Sequence, residues 1–317
     1  MRQLNNRILL CTLAALAAIP LSAQSKGSQP EEPTIFRADT RLVVLHATVV
    51  DKNGKFVTNL PQSAFHVFEN NVEQPIKKLI REDVPVSMGL IVDNSGSMRT
   101  KRGRVEASAV ALVKASNPQD EVFIVNFNDE AFLDQPFTSD IKELERGLAK
   151  IDSRGGTAMR DAIRMSIDYL KENGKRDKKV LVVVTDGDDN NSSGTLENLV
   201  KAAQQSEVLI YTVGLLAEEE RREAKRATRA LNAIAEATGG KSYYPKELKD
   251  VDGVCQQVAH DIRSQYIIEY NPKNPALDGS FRQIRVVANG PNHPVVRTRS
   301  GYYATPDKPE KRAANGK

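Results

Sequence analysis

The chain has 317 residues, 40% hydrophobic and 27% charged, with 45 basic against 41 acidic side chains and a formal net charge of +4. That is soluble, globular composition, long enough for one large domain and a smaller one. No run of Lys/Arg is interleaved with aromatics, Trp is absent and aromatics make up 5%, which argues against nucleic acid and against a stacking surface for bases or sugars.

The N-terminus has its own character. Arg2 and Arg7 precede the apolar run ILLCTLAALAAIPL, which is short for a bilayer span, and small residues around Ala23 follow. This predicts a secretory signal peptide over 1–23, cut after Ala23, and export to the periplasm or the cell exterior. An uncleaved anchor is the competing reading. Cys11 leaves with the signal, so Cys255 has no partner for an internal disulfide. Cys255 recurs with Val251, Val254, Val258 and Ile262 at helical spacing and reads as a small core hydrophobe.

Residues 24–33 are polar and proline-bearing, a linker. From 34 to 84 the period is two: RLVVLHATVVD places Val43, Leu45, Ala47 and Val49 on one face and Leu42, Val44, His46, Thr48 and Val50 on the other, both largely apolar, as in a sandwich-core strand. Asn53-Gly54 and Asn70-Asn71 supply turns. From 85 to 264 four β-branched runs, SMGLIVD, EVFIVNF, KKVLVVVTD and VLIYTVGL, alternate with amphipathic segments. That pattern predicts an α/β fold, a doubly wound, mainly parallel sheet with helices on both faces. A charge-rich helix ending in Gly239-Gly240 and the Cys255 helix complete it. Over 265–304 the period returns to two, in QYIIEYN, FRQIRVVAN and PVVRTRSGYYA. A few strands at either end would be marginal alone, so the two ends are expected to build one β-sandwich in which the α/β domain is inserted. Residues 305–317 read as a disordered tail.

In parallel sheets, ligands sit beyond the carboxyl ends of the strands. Asp93, Ser95 and Ser97 alternate after the first run, in DNSGS. Asp186 follows the third run in VVVTDGDD, and Thr157 opens a helix after Gly155-Gly156 in RGGTAMRDA. All are hard oxygen donors with no His or Cys among them, which suits a divalent cation, Mg2+ first, with Mn2+ or Ca2+ next. Three hydroxyls and at most two carboxylates leave a coordination position open, and the ion stays electron-poor enough to accept an outside anion.

DxSxS with the later Thr157 and Asp186 resembles the metal-ion-dependent adhesion site (MIDAS) of von Willebrand factor type A (VWA) domains. The resemblance covers about 85 to 263, and the flanks are similar to a VWFA-related group of secreted acidobacterial proteins. It implies that Asp93, Ser95, Ser97 and Thr157 touch the metal, with Asp186 direct or through water. It also implies a protein partner that presents an exposed Asp or Glu to the open position. Loops 127–139, 186–195 and 215–225 are the candidate rim. The Cys255 helix runs into QYIIEYN, which makes it a candidate link between the site and the sandwich.

Other readings of these residues are a strand-to-helix turn with a serine cap, and a site that folds without holding metal. Asp186–Glu197 imitates an EF-hand loop, but Asn191 stands where that loop needs Gly. The His residues are scattered, and no GxSxG, HExxH or phosphate loop occurs, so no enzyme is expected. The expectation is an exported, metal-dependent protein-binding module of adhesion type. Its rival is a metal-independent envelope scaffold.

Overall fold

The computed structural model describes residues 41–306, except 82, 116 and 150–152. The expected signal peptide and linker lie outside the described residues, as does the tail beyond Pro306. The first strand, β1 (Val43–Val50), buries one face fully, with Val43, Leu45, Ala47 and Val49 all at most 1% exposed, while Val44, His46 and Val50 on the other apolar face are only half-buried. β2 (Phe65–Glu69) and β3 (Val72–Gln74) form a hairpin whose turn residues Asn70 and Asn71 take φ of 48° and 64°. Asn tolerates that left-handed region better than most residues. β4 (Ile76–Ile80) follows. The Asn53-Gly54 turn forms, with Gly54 at φ 79°, but beyond it only Phe56 bridges back to Val50. The main partners of β1 come from the other end of the chain.

The central runs are buried on both faces, and a strand with no polar side belongs inside a parallel sheet. β5 (Val86–Asp93) is buried along its whole length. Next come α1 (Arg102–Lys114), β6 (Glu121–Phe127), β7 (Ala131–Thr138), α2 (Ile141–Ala149) and α3 (Met159–Asn173). β8 (Lys178–Thr185), α4 (Leu196–Ser206), β9 (Leu209–Gly214), α5 (Arg221–Thr238), β10 (Ser242–Tyr243) and α6 (Val251–Arg263) complete the domain. The sheet order is β10-β9-β8-β5-β6-β7, parallel except for β7. Leu90, Val92 and Val182 pack with residues of α1, α2 and α6, while Ile91, Leu181 and Val183 pack with those of α3, α4 and α5. α5 ends on Gly239 at φ 85°, the left-handed cap its Gly pair predicts.

The candidate rim segment 127–139 is a correction. Residues 131–138 are the antiparallel edge strand β7, paired with β6. Segment 215–225 is likewise partly ordered, as a 3-10 turn over Leu216–Glu218 followed by the start of α5. Only 186–195 stays a loop.

β11 (Tyr266–Tyr270) inserts between β1 and β4, and β12 (Phe281–Ala288) lies between β2 and β14 (Gly301–Tyr303). β13 (Val295–Arg297) covers the other edge of β1. Two four-stranded antiparallel sheets result, each needing strands from both ends of the chain, and they enclose one core of Leu45, Val67, Tyr266, Ile268 and Val286 among others. The α/β domain is thus inserted in a β-sandwich. Buried polar groups join the two. Asp261 of α6, 1% exposed, accepts from Thr48 Oγ1 at 2.7 Å, from Tyr243 at 3.2 Å and from the Arg297 guanidinium. Gln265 donates to Tyr211 and Thr48, each at 3.2 Å. Among the described residues no helix is long and apolar enough to cross a membrane.

Candidate metal centre

β5, β6 and β8 run parallel in register, with Val92 opposite both Asn126 and Val184, so their carboxyl ends emerge at one rim. Asp93, the last residue of β5, is 2% exposed. Its carboxylate accepts the Ser95 N–H at 2.8 Å and the Thr185 hydroxyl at 2.5 Å. The chain then turns through a 3-10 segment, Gly96–Thr100, which brings the Ser95 and Ser97 hydroxyls within 3.1 Å of each other. Ser97 donates to Asp186 Oδ1 at 2.8 Å, and Asp186 is fully buried. The first and third segments therefore meet through their side chains.

The second segment lies across the same turn. Gly96 donates its N–H to the Gly155 carbonyl at 3.3 Å, Arg154 to the Asn94 carbonyl at 3.1 Å, and Ser153 Oγ to Asn94 Oδ1 at 3.1 Å. Gly155 has φ 75°, and a Cβ there would stand 2.1 Å from Asp129 Oδ2, so only glycine lets this crossing occur. Thr157 is 5% exposed and precedes α3 rather than opening it. Its carbonyl accepts the N–H groups of Asn190 and Asn191 at 3.1 and 3.2 Å, and its own N–H donates to Asn190 Oδ1 at 2.9 Å. Thr157 is thereby fixed between the DNSGS turn and the loop that follows Asp186.

Burial pushes the Asp93 carboxyl up to about 6; the Thr185 and Ser95 bonds oppose this, and the nearby charge of Asp186 adds to it. Among the described residues, no three His, Cys, Asp or Glu side chains gather in a way that could hold a metal. The donor set is instead two carboxylates with hydroxyls, the chemistry of a hard cation. Two adjacent buried carboxylates are costly unless positive charge offsets them; the Lys101 ammonium offsets one, and a divalent cation would offset both.

Three further residues at this rim were not among the expected site residues. Thr185, beside Asp186, serves Asp93. Asp129 follows β6 at the same strand-end position as the others and accepts the Gly156 N–H at 2.7 Å; the spacing of EVFIVNFND could have revealed it. Lys101 donates Nζ to Asp186 Oδ2 at 2.8 Å. Asp188 and Asp189 shape the rim. Asp188 accepts from Arg226 at 2.5 Å, and Asp189 from the Arg160 side chain and the Ser192 hydroxyl at 2.9 and 2.7 Å.

Residues 88–188 match the family model of the von Willebrand factor type A domain. The chain is similar to calcium-activated chloride channel regulator 1 of Mus musculus, 28% identical over 182 residues, which is 54% of this chain and 18% of that protein. It is also similar to inter-alpha-trypsin inhibitor heavy chain H4 of Sus scrofa, 25% identical over 185 residues, or 53% and 18%. The match thus spans about a fifth of the length of these relatives. Among solved structures, a von Willebrand factor type A protein from Catenulispora acidiphila superposes with a TM-score of 0.51 at 12% identity, over 81% of this chain and 74% of that one.

Proposed function

The chain contains a von Willebrand factor type A domain, and from that premise we propose that it is an exported, metal-dependent protein-binding module. Asp93, Ser95, Ser97 and Thr157 hold a divalent cation, Mg2+ first, with Asp186 reached directly or through water. Once bound, the ion supplies an open coordination position that an Asp or Glu carboxylate of a partner protein fills. The chain's own residues do the rest. Asp93 and Asp186 provide charge, the hydroxyls provide neutral ligands that leave the ion electron-poor, and the Gly155 crossing brings in Thr157. The loop 186–195 and the exposed start of β7, with Phe132 46% and Leu133 39% exposed, surround the site and select among acidic partners.

The observation that carries this reading is the convergence of two buried carboxylates at the ends of adjacent parallel strands, Asp93 taking the Thr185 hydroxyl and Asp186 the Ser97 hydroxyl. We read the module as a binder and not a catalyst. The four His residues of the chain lie in the flanking β segments or on α6, so no imidazole base serves this rim.

The test is capture of a partner from envelope extract by the immobilised protein, in Mg2+ and in EDTA, beside calorimetric titration with Mg2+. Chelation and Asp93→Ala are each expected to lower capture by about tenfold or more, the size of losing a charged ligand, and Asp93→Ala to abolish the Mg2+ heat. Capture that survives both would favour a metal-independent envelope scaffold, for which the exposed apolar residues on the edge strand β7, and Val72 and Val295 on the sandwich, offer surface.

A further inference from the structure

Lys101 stands between the 3-10 turn and α1, with its side chain 10% exposed. Its ammonium lies between two carboxylates of unlike setting. Asp186 Oδ2, fully buried, is 2.8 Å away, and Glu218 Oε2, on a side chain 77% exposed, is 3.6 Å away. Burial alone would depress this ammonium, but the hydrogen bond and charge of Asp186, followed by the charges of Glu218 and Glu219, hold it above its ordinary value. Lys101 also borders an open recess of about 500 Å³ lined by Leu215, Glu218, Pro245 and Glu247, which leaves room for its side chain to move.

The charges at the rim give this position a consequence. Asp93 and Asp186 carry two negative charges between them, and Lys101 offsets one. A divalent cation drawn to the same carboxylates meets a positive charge already bonded to one of them. Like charges a few ångströms apart at a poorly solvated rim shift a binding constant by at least about an order of magnitude. Glu218 offers the ammonium a second anion on the solvent side.

Resting on the function proposed above, we propose that Lys101 is a resident counter-ion of the centre. It pairs with Asp186 in the absence of a divalent cation, yields toward Glu218 when one binds, and so raises the cation concentration at which the site fills. Lys at this position makes the module responsive to the divalent-ion level of its surroundings instead of permanently loaded.

Calorimetric titration of the full chain with Mg2+ at low ionic strength tests this in three proteins. Lys101→Met is expected to bind Mg2+ about tenfold or more tightly than wild type. Glu218→Gln, an exposed change that leaves the fold intact, is expected to bind about threefold more weakly, because the ammonium has lost its alternative partner. In EDTA, Lys101→Met is also expected to melt below wild type, since Asp186 is left buried without its ion pair, and to gain more on adding Mg2+. Equal affinity in wild type and Lys101→Met overturns the proposal, and unchanged affinity in Glu218→Gln overturns the exchange between partners. Absence of Mg2+ binding in all three proteins instead defeats the metal-dependent function itself, and this inference with it. If Lys101→Met fails to fold, Glu218→Gln alone decides.

Discussion

Asp93 works against the fold that holds it. Its carboxyl is pushed up to about 6, against 3.8 unperturbed, first by burial and then, against the bonds from Thr185 and Ser95, by the charge of Asp186. A carboxyl that binds its proton more tightly folded than unfolded costs stability as pH rises from about 4 to 6, and the full cost persists above that. The difference corresponds to about 3 kcal/mol. In EDTA, the urea midpoint is therefore expected to increase as pH falls from 7 to 5. In saturating Mg2+ the trend should reverse, because only the carboxylate binds the ion. Asp93→Asn should flatten the EDTA trend, and an unchanged trend in that variant would assign the effect elsewhere. Much of this centre is legible in the sequence because its donors follow local rules. Asp93, Ser95 and Ser97 alternate in one tight turn, and Asp186 directly follows a strand. Lys101 was not legible, since a long flexible side chain reaches across the rim without any fixed spacing to announce its target.

At the scale of elements, β5, β6, β8 and β9 are plain in the sequence, because full burial leaves each a continuous apolar run. β7 is not. It is an edge strand carrying Asp134, Gln135 and Pro136, with two register irregularities against β6, and an edge needs no apolar alternation on its open side. β1 holds a further feature that alternation hides. His46 alternates away from the sandwich core and is half-buried, but its Nδ1 is shut off and has no hydrogen-bond partner among the described residues. Burial, followed by the charges of Lys178 and Arg299, lowers its pKa to about 3, and a cavity of about 20 Å³ lies against it. A histidine whose folded pKa is depressed favours the folded state above its unfolded value of 6.5, and that advantage is lost as pH falls below it. With partial exposure discounted, wild type is expected to lose about 1–2 kcal/mol at pH 4.5 through this group. His46→Leu should lose less over the same range, as read from the difference in melting temperature between the two proteins at pH 7 and 4.5. Parallel acid losses would show that His46 makes no such contribution.

For the whole molecule, the insertion makes the α/β domain and the sandwich depend on each other. The chain leaves the sandwich after β4 and returns through α6 into β11. Near the crossings, Asp120 accepts the Val86 N–H at 2.8 Å and the Arg263 guanidinium at 3.1 Å, while Arg263 also pairs with Asp83. These clips belong largely to the α/β domain and should survive excision of the sandwich. The Asp261 junction should not, because Thr48 and Arg297 belong to the sandwich, one from each end of the chain. A fragment of residues 85–264 would keep Tyr243 as a partner of Asp261 while losing those two, with water in their place at the bared face. The full chain is expected to unfold in urea in one transition, coincident by circular dichroism and by tyrosine fluorescence, which is clean here because Trp is absent. The fragment should unfold at lower urea, and Asp261→Asn in the full chain should reproduce part of that loss. A fragment as stable as the full chain would mean that the buried polar junction contributes nothing net.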